Sequence, residues 1–227
     1  MSARDDILGR VRGALGRTGA AAPPPVPEYA NAALVPERAK GPPAALVARF
    51  IDMAEEVSAT VDRVAQRGDV AAAIAAWLDR EGLPRRIAMS PDPALESCGW
   101  DGVADLDIRR GPTAGDDPVS VTPAVAGVAE TGSLMVASGP RTPYTLNFLP
   151  DTHIAVLDAG RIVGGYEDAW AGMRPNGETG AALPRTVTLI TGPSRSSDIE
   201  RTVTIGVHGP RRLHIVIVGT ADGEEAV

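Results

Sequence analysis

The 227-residue chain has a single cysteine, Cys98, and only 4% aromatic residues. One thiol excludes an intramolecular disulfide and cannot supply the ligands of an iron–sulfur cluster, so any such centre would belong to a partner. Basic excess is lacking too. The formal net charge is -7 and no stripe of Lys and Arg occurs, which argues against nucleic acid, whose phosphates call for clustered cations. No apolar run reaches the length of a bilayer span, and the opening MSARDDILGR lacks the apolar centre of a secretory signal, so a cytoplasmic protein is expected. What the chain does have is hydrophobic content: at 44% it supports one substantial core without requiring two domains.

Periodicity divides the chain into a short arm, a connector and one α/β domain. Ile7, Leu8, Val11 and Leu15 recur at helical spacing, predicting an amphipathic helix within residues 1–17. Residues 18–41, rich in Pro and Ala, read as an extended linker, with the domain expected over 42–222 and a tail at 223–227. PAALVARFIDMAEE and DVAAAIAAWLDREG predict helices, the second capped by Asp69 and ended by Gly82. SATVDRV, RRIAMS, His153 to Leu157, TVTLI and RLHIVIV predict strands, with an edge strand around Ala104 to Ile108 and a further helix at GYEDAWAGMR. Alternating helix and strand is the pattern of a mostly parallel sheet flanked by helices.

The densest chemistry lies in ITGPSRSSDIERTVTIGVHGP, between TVTLI and RLHIVIV. Ligands of α/β sheets gather at the carboxyl ends of strands, where Gly192 to Asp198 are expected. Ser194, Ser196 and Ser197 offer hydroxyl donors and Arg195 a bidentate grip, the makings of an anion cradle. Asp198 opposes an anion, and Ser197 or Asp198 serves equally well as the cap of a helix beginning at Ile199. His208, between glycines in GVHGP, is a candidate proton carrier, with a backbone-bonded loop histidine as the plain alternative. His214 lies within a strand and reads as a core residue. Asp151 and His153 form no metal set, because no third ligand follows at a suitable spacing, and no metal is expected.

The blocks GVAETGSLMV, NFLPDTHIAVL, IVGGYEDAW and TGPSRSSDIERTVTIGVHGPRRLHIVIVG, with the opening RDDILGRVRGALGR, resemble the lactate-utilisation (LUD) domain family, in its protein C branch. The resemblance implies a fold related to the sugar-phosphate isomerase and CoA-transferase superfamily. It also implies a role beside two iron–sulfur proteins in oxidising L-lactate to pyruvate, with no cofactor on this chain and the clusters in those partners.

Glu130, Thr131, Gly132 and Ser133 form the second constellation. A carboxylate beside a glycine can approach a ligand closely, and E-x-G resembles the segment that bears the glutamate nucleophile of class I CoA transferases. The structural alternative is that Glu130 pairs with an arginine while Gly132 makes a turn. The combined expectation places Glu130 and His208 as proton-moving groups, with Thr131, Gly132, Ser133, Gly192, Ser194, Arg195, Ser196, Asp198 and Gly209 around a small anion. Three roles stay open: a subunit or accessory factor of lactate oxidation, a non-catalytic assembly protein docking through its N-terminal helix, and an acyl or CoA transferase. GPSRS lacks the final glycine of a nucleophile elbow, and DAGRIVGGY lacks G-x-G-x-x-G spacing, which disfavours a serine hydrolase and a dinucleotide site. Trp77, Trp170 and Cys98 are expected to pack in the interior.

Overall fold

The computed structural model describes residues 3–16, 35–174, 183–196 and 204–220. Two units emerge, residues 1–34 and 35–227. The first contains helix α1, Ala3–Ala14, with Asp5 and Asp6 in its first turn and Arg12 in its last, a charge order that complements the helix dipole.

In the second unit, helices α2 (Pro43–Glu56), α3 (Val70–Arg80), α4 (Pro93–Glu96) and α5 (Tyr166–Met173) surround two principal sheets. The larger contains β1 (Thr60–Val64), β2 (Arg86–Met89), β3 (Asp107–Arg110), β4 (Val119–Pro123), β7 (Thr152–Asp158) and β12 (Arg212–Val218). Its order is β1-β12-β7-β4-β2-β3, and every pairing is parallel. The smaller sheet runs β8-β5-β6-β9, from β5 (Ala126–Val128), β6 (Ser133–Ala137), β8 (Ile162–Val163) and β9 (Val187–Ile190). The α/β architecture with a mostly parallel sheet is thus observed. No helix among the described residues is long and apolar enough to cross a membrane.

Burial on both faces explains the near-continuous apolar runs of the central strands. On one face, α3 brings Ile74, Trp77 and Leu78 onto Ile154, Val156 and Val216. On the other, Val47, Phe50 and Ala54 of α2 pack on Leu157, Ile215 and Ile217 and reach Leu134 of the smaller sheet. Trp77 stacks on His214 with ring centroids 4.2 Å apart. Trp170 packs against the small cluster beneath α5.

Three local expectations change in the fold. Asp69 sits in a 3-10 turn before α3 and makes no side-chain cap bond. The edge strand starts at Asp107, three residues beyond the expected Ala104, and forms the end of the larger sheet. The expected linker is also shorter at its end: residues 35–41 belong to the folded unit, where Ala39 is buried and Arg49 donates to the carbonyls of Arg38 and Lys40. Proline and alanine there mark a packed turn, since Ala39 fits against Gly164, where a Cβ would stand 1.9 Å from its carbonyl oxygen.

Candidate functional site

The two expected segments are neighbours, but they meet through hydroxyls. Ser133 is fully buried at the start of β6, and its Oγ lies 2.6 Å from Thr191 Oγ1, 2.8 Å from Thr131 Oγ1 and 3.2 Å from the Tyr166 hydroxyl. Antiparallel pairing of β6 with β9 sets Leu134 opposite Ile190, and so brings the residues flanking them together. Both turns then lie on the last turns of α2. Gly132 has φ +64, and a Cβ there would stand 2.4 Å from the Ala54 nitrogen; one on Gly192, at φ +76, would stand 2.5 Å from the Val57 oxygen. Left-handed backbone and a helix in direct contact together demand glycine at both positions. Gly132→Ala is expected to cost about 1–3 kcal/mol of stability in urea unfolding, whereas Gly102→Ala, with open space around it, should change it little.

The charged side chains of the two segments diverge. Glu130 is largely buried and its Oε1 accepts from Arg38 Nε at 3.1 Å and Nη2 at 3.0 Å, the arginine pairing named above as the structural alternative. Arg195 donates to the Ser58 hydroxyl just after α2. Ser194 accepts from the His208 backbone N–H at 3.3 Å and its own N–H donates to the Pro210 carbonyl at 2.8 Å, while Gly209 lies close against its side chain. Arg195 and Ser196 form a two-residue strand, β10, antiparallel to β11 at Thr204–Ile205. Ser197, Asp198 and the expected helix from Ile199 lie outside the described residues.

Position along the sheet differs from expectation. Gly192 to Ser196 follow β9 of the smaller sheet and pack beside Val57, Ser58 and Pro210, at the amino ends of β1 and β12. The strand-then-loop pattern predicted a carboxyl end because it was read as a strand of the parallel sheet. TVTLI instead supplies an antiparallel edge strand, whose exit points the other way.

The histidines separate similarly. His153 and His214 are fully buried, and burial lowers each to about 4, with Asp62 pulling His214 up and Arg80 pushing it further down. Thr122 Oγ1 lies 2.8 Å from His153 Nε2, and Thr60 Oγ1 lies 2.9 Å from His214 Nδ1. Both are neutral core groups at neutral pH. Asp151 instead pairs with Arg211 at 3.5 Å. Among the described residues, no group of three or more His, Cys, Asp or Glu is arranged to hold a metal ion. Cys98 is buried, its thiol pushed up by desolvation.

The concave surface lies at the opposite edge, over the carboxyl ends of the parallel strands. A cavity of about 330 Å³ is lined by Asp92, Pro123, Ala124, Thr142, Asp158 and Arg161. A second, about 320 Å³, shares Asp158 and Arg161 and adds Arg67, Gly219 and Thr220. Arg67 is bound to Asp158 and to the Ala94 carbonyl at 2.9 Å. Asp92 caps α4 through the Ala94 N–H at 2.9 Å. Sequence reading missed this region because DAGRIVGGY was tested only for dinucleotide spacing. The available signal was its place directly after a buried strand, where α/β sheets bind ligands.

Comparison with known proteins agrees with the architecture. A DUF162 family protein from Deinococcus radiodurans superimposes with a TM-score of 0.59 at 21% identity, covering 79% of this chain and all of that one, a likeness of fold. An uncharacterized protein of Neisseria meningitidis serogroup B is 37% identical over 97 residues, 42% of this chain and 40% of its own length. Lactate utilization protein C of a Geobacillus species is 36% identical over 144 residues, 62% of this chain and 58% of that protein. Its Bacillus subtilis namesake is 31% identical over 119 residues, 52% of this chain and 50% of that protein. The matched stretches therefore span roughly half the length of these relatives. The profile of the LUD domain matches residues 47–218, from α2 to the end of β12, and on that extent the chain belongs to the LUD domain family.

Proposed function

We propose that this chain acts in lactate utilization, as a cytoplasmic subunit or accessory factor of an iron–sulfur-containing system that oxidises L-lactate to pyruvate, and that it binds an anionic ligand. The observation that carries this reading is the LUD match across nearly the whole folded unit, joined to relatives that bear the name lactate utilization protein C. Chemistry supports the division of labour. Oxidising lactate releases two electrons, and a chain with one buried cysteine cannot ligate a cluster to receive them, so the clusters would sit in partner proteins.

Glu130 favours this reading over acyl transfer. The Arg38 guanidinium donates two hydrogen bonds to Oε1, and a carboxylate whose charge is held by an arginine is a weaker nucleophile toward a thioester. Assembly has its own support in α1, where Ile7 and Val11 are 61% and 48% exposed and Leu15 just beyond it 62%. An apolar row of that kind is suited to a partner surface.

Deleting the gene from its host is expected to abolish growth on L-lactate and spare growth on pyruvate, with the full chain restoring the loss. Unimpaired growth on L-lactate would end the proposal. A chain lacking residues 1–17 that binds its ligands yet fails to restore growth would assign assembly to the arm.

A further inference from the structure

We propose that the crevice at the carboxyl ends of β2, β4, β7 and β12 binds an organic anion of mononucleotide size, with Arg161 gripping its phosphate or carboxylate. The inference rests on the anionic-ligand reading above and gives that ligand a place and a class.

Topology puts the crevice where a ligand is favoured. After β2 the chain crosses on the α3 and α4 face to reach β3, since Leu95 of α4 packs in the same cluster as Trp77. After β4 it leaves on the opposite face into the smaller sheet, where Leu134 packs with α2. The chain thus departs in opposite directions between the adjacent strands β2 and β4. Such a switch point parts the loops at the strand ends and opens a cleft. The cavity of about 330 Å³ sits there, reaching from Asp92 after β2 and Ala124 after β4 to Asp158 at the end of β7.

Charge selects the sign of the ligand. Arg67 is committed to Asp158 and the Ala94 carbonyl, and Asp92 to the Ala94 N–H. The side chain of Arg161, exposed on the turn after β7, makes no ion pair or hydrogen bond with another described residue, yet it lines both cavities. A guanidinium in that position offers a planar pair of donors to a phosphate or carboxylate. Its two acidic neighbours act as acceptors. Asp158 meets Arg67 through Oδ1, which leaves Oδ2 for the hydroxyls of a sugar, the role a carboxylate plays toward ribose in doubly wound folds.

Volume selects the size. Each of the two cavities, about 320 and 330 Å³, is lined by Asp158 and Arg161, and each lies in the range that encloses ligands of many heavy atoms. An acid as small as lactate fills only a fraction of it. A phosphate on a sugar and base extends from Arg161 toward Asp92 on one side and Gly219 on the other.

The test is calorimetric titration of the full chain with AMP, adenosine and L-lactate as separate probes. AMP should bind, adenosine should not, and Arg161→Ala should weaken AMP by about tenfold or more, the worth of one charge-assisted contact, with the unliganded unfolding midpoint unchanged. No AMP binding, equal binding by Arg161→Ala, or Arg161-dependent binding of L-lactate in place of AMP would each overturn the inference. Growth separates it from the function proposed above. A gene needed for growth on L-lactate, whose product shows no Arg161-dependent AMP binding, removes this inference alone. Arg161-dependent AMP binding by a chain dispensable for that growth upholds the crevice and removes the metabolic role.

Discussion

Trp77→Ala is expected to lower the free energy of unfolding by about 3–5 kcal/mol. The indole is 1% exposed and packs among Ile74, Val216 and Val218 where α3 meets the sheet. It also covers the imidazole of His214, the two rings nearly parallel at an interplanar angle of 8°. Truncation would leave a cavity and uncover a second buried ring. The indole Nε1 has no hydrogen-bond partner among the described residues, so Trp77→Phe deletes an unsatisfied donor along with some volume. Phenylalanine should therefore cost well under half of what alanine costs. Urea titrations of the two variants decide it, and equal losses would show that the stack and the cavity contribute nothing.

Acid should weaken the protein before its carboxylates titrate. Burial holds His153 and His214 neutral in the folded state down to about 4, against an ordinary value of 6.5. Between those limits the unfolded chain binds protons that the native chain refuses. The stability supplied by neutral histidine is full above pH 6.5 and falls as the pH drops toward 4, by up to about 3 kcal/mol per residue. Asp117, lowered by its hydrogen bonds from Arg109, loses its contribution only below the ordinary carboxylate range, so the two effects occupy different windows. Unfolding free energies measured from pH 7.5 to 4.5 should decline steeply, and the double variant His153→Leu, His214→Phe should flatten the decline. A wild-type profile level across that range would contradict the buried neutral assignment.

Legibility varied with the distance over which each feature is decided. β7 and β12 were plain from their apolar runs, which burial on both faces requires, and α2 and α3 from their apolar spacing, because burial of one helix face imposes a period on consecutive residues. Gly132 and Gly192 stood out as turn residues, although the helix that requires them is more than seventy positions from either. Glu130 drew notice as a free carboxylate because its partner, Arg38, lies 92 residues away in a stretch that read as linker. Arg195 was read as the cation of the site, yet it turns to Ser58, while Arg161 stands in the cavities.

Composition, period and motif determined on their own the α/β class, the helices and buried strands, the absence of a cluster-ligating cysteine set, and the blocks that carry the LUD resemblance. All of these depend on residues close together in the chain. Tertiary structure alone decided that β1 pairs with β12, Thr60 beside His214, and that TVTLI joins the smaller sheet. It likewise decided which strand ends open into a crevice. Parallel pairing joins remote segments through backbone groups that are alike at every residue, so side-chain pattern states which positions are buried and leaves the choice of neighbour to the packing of the whole.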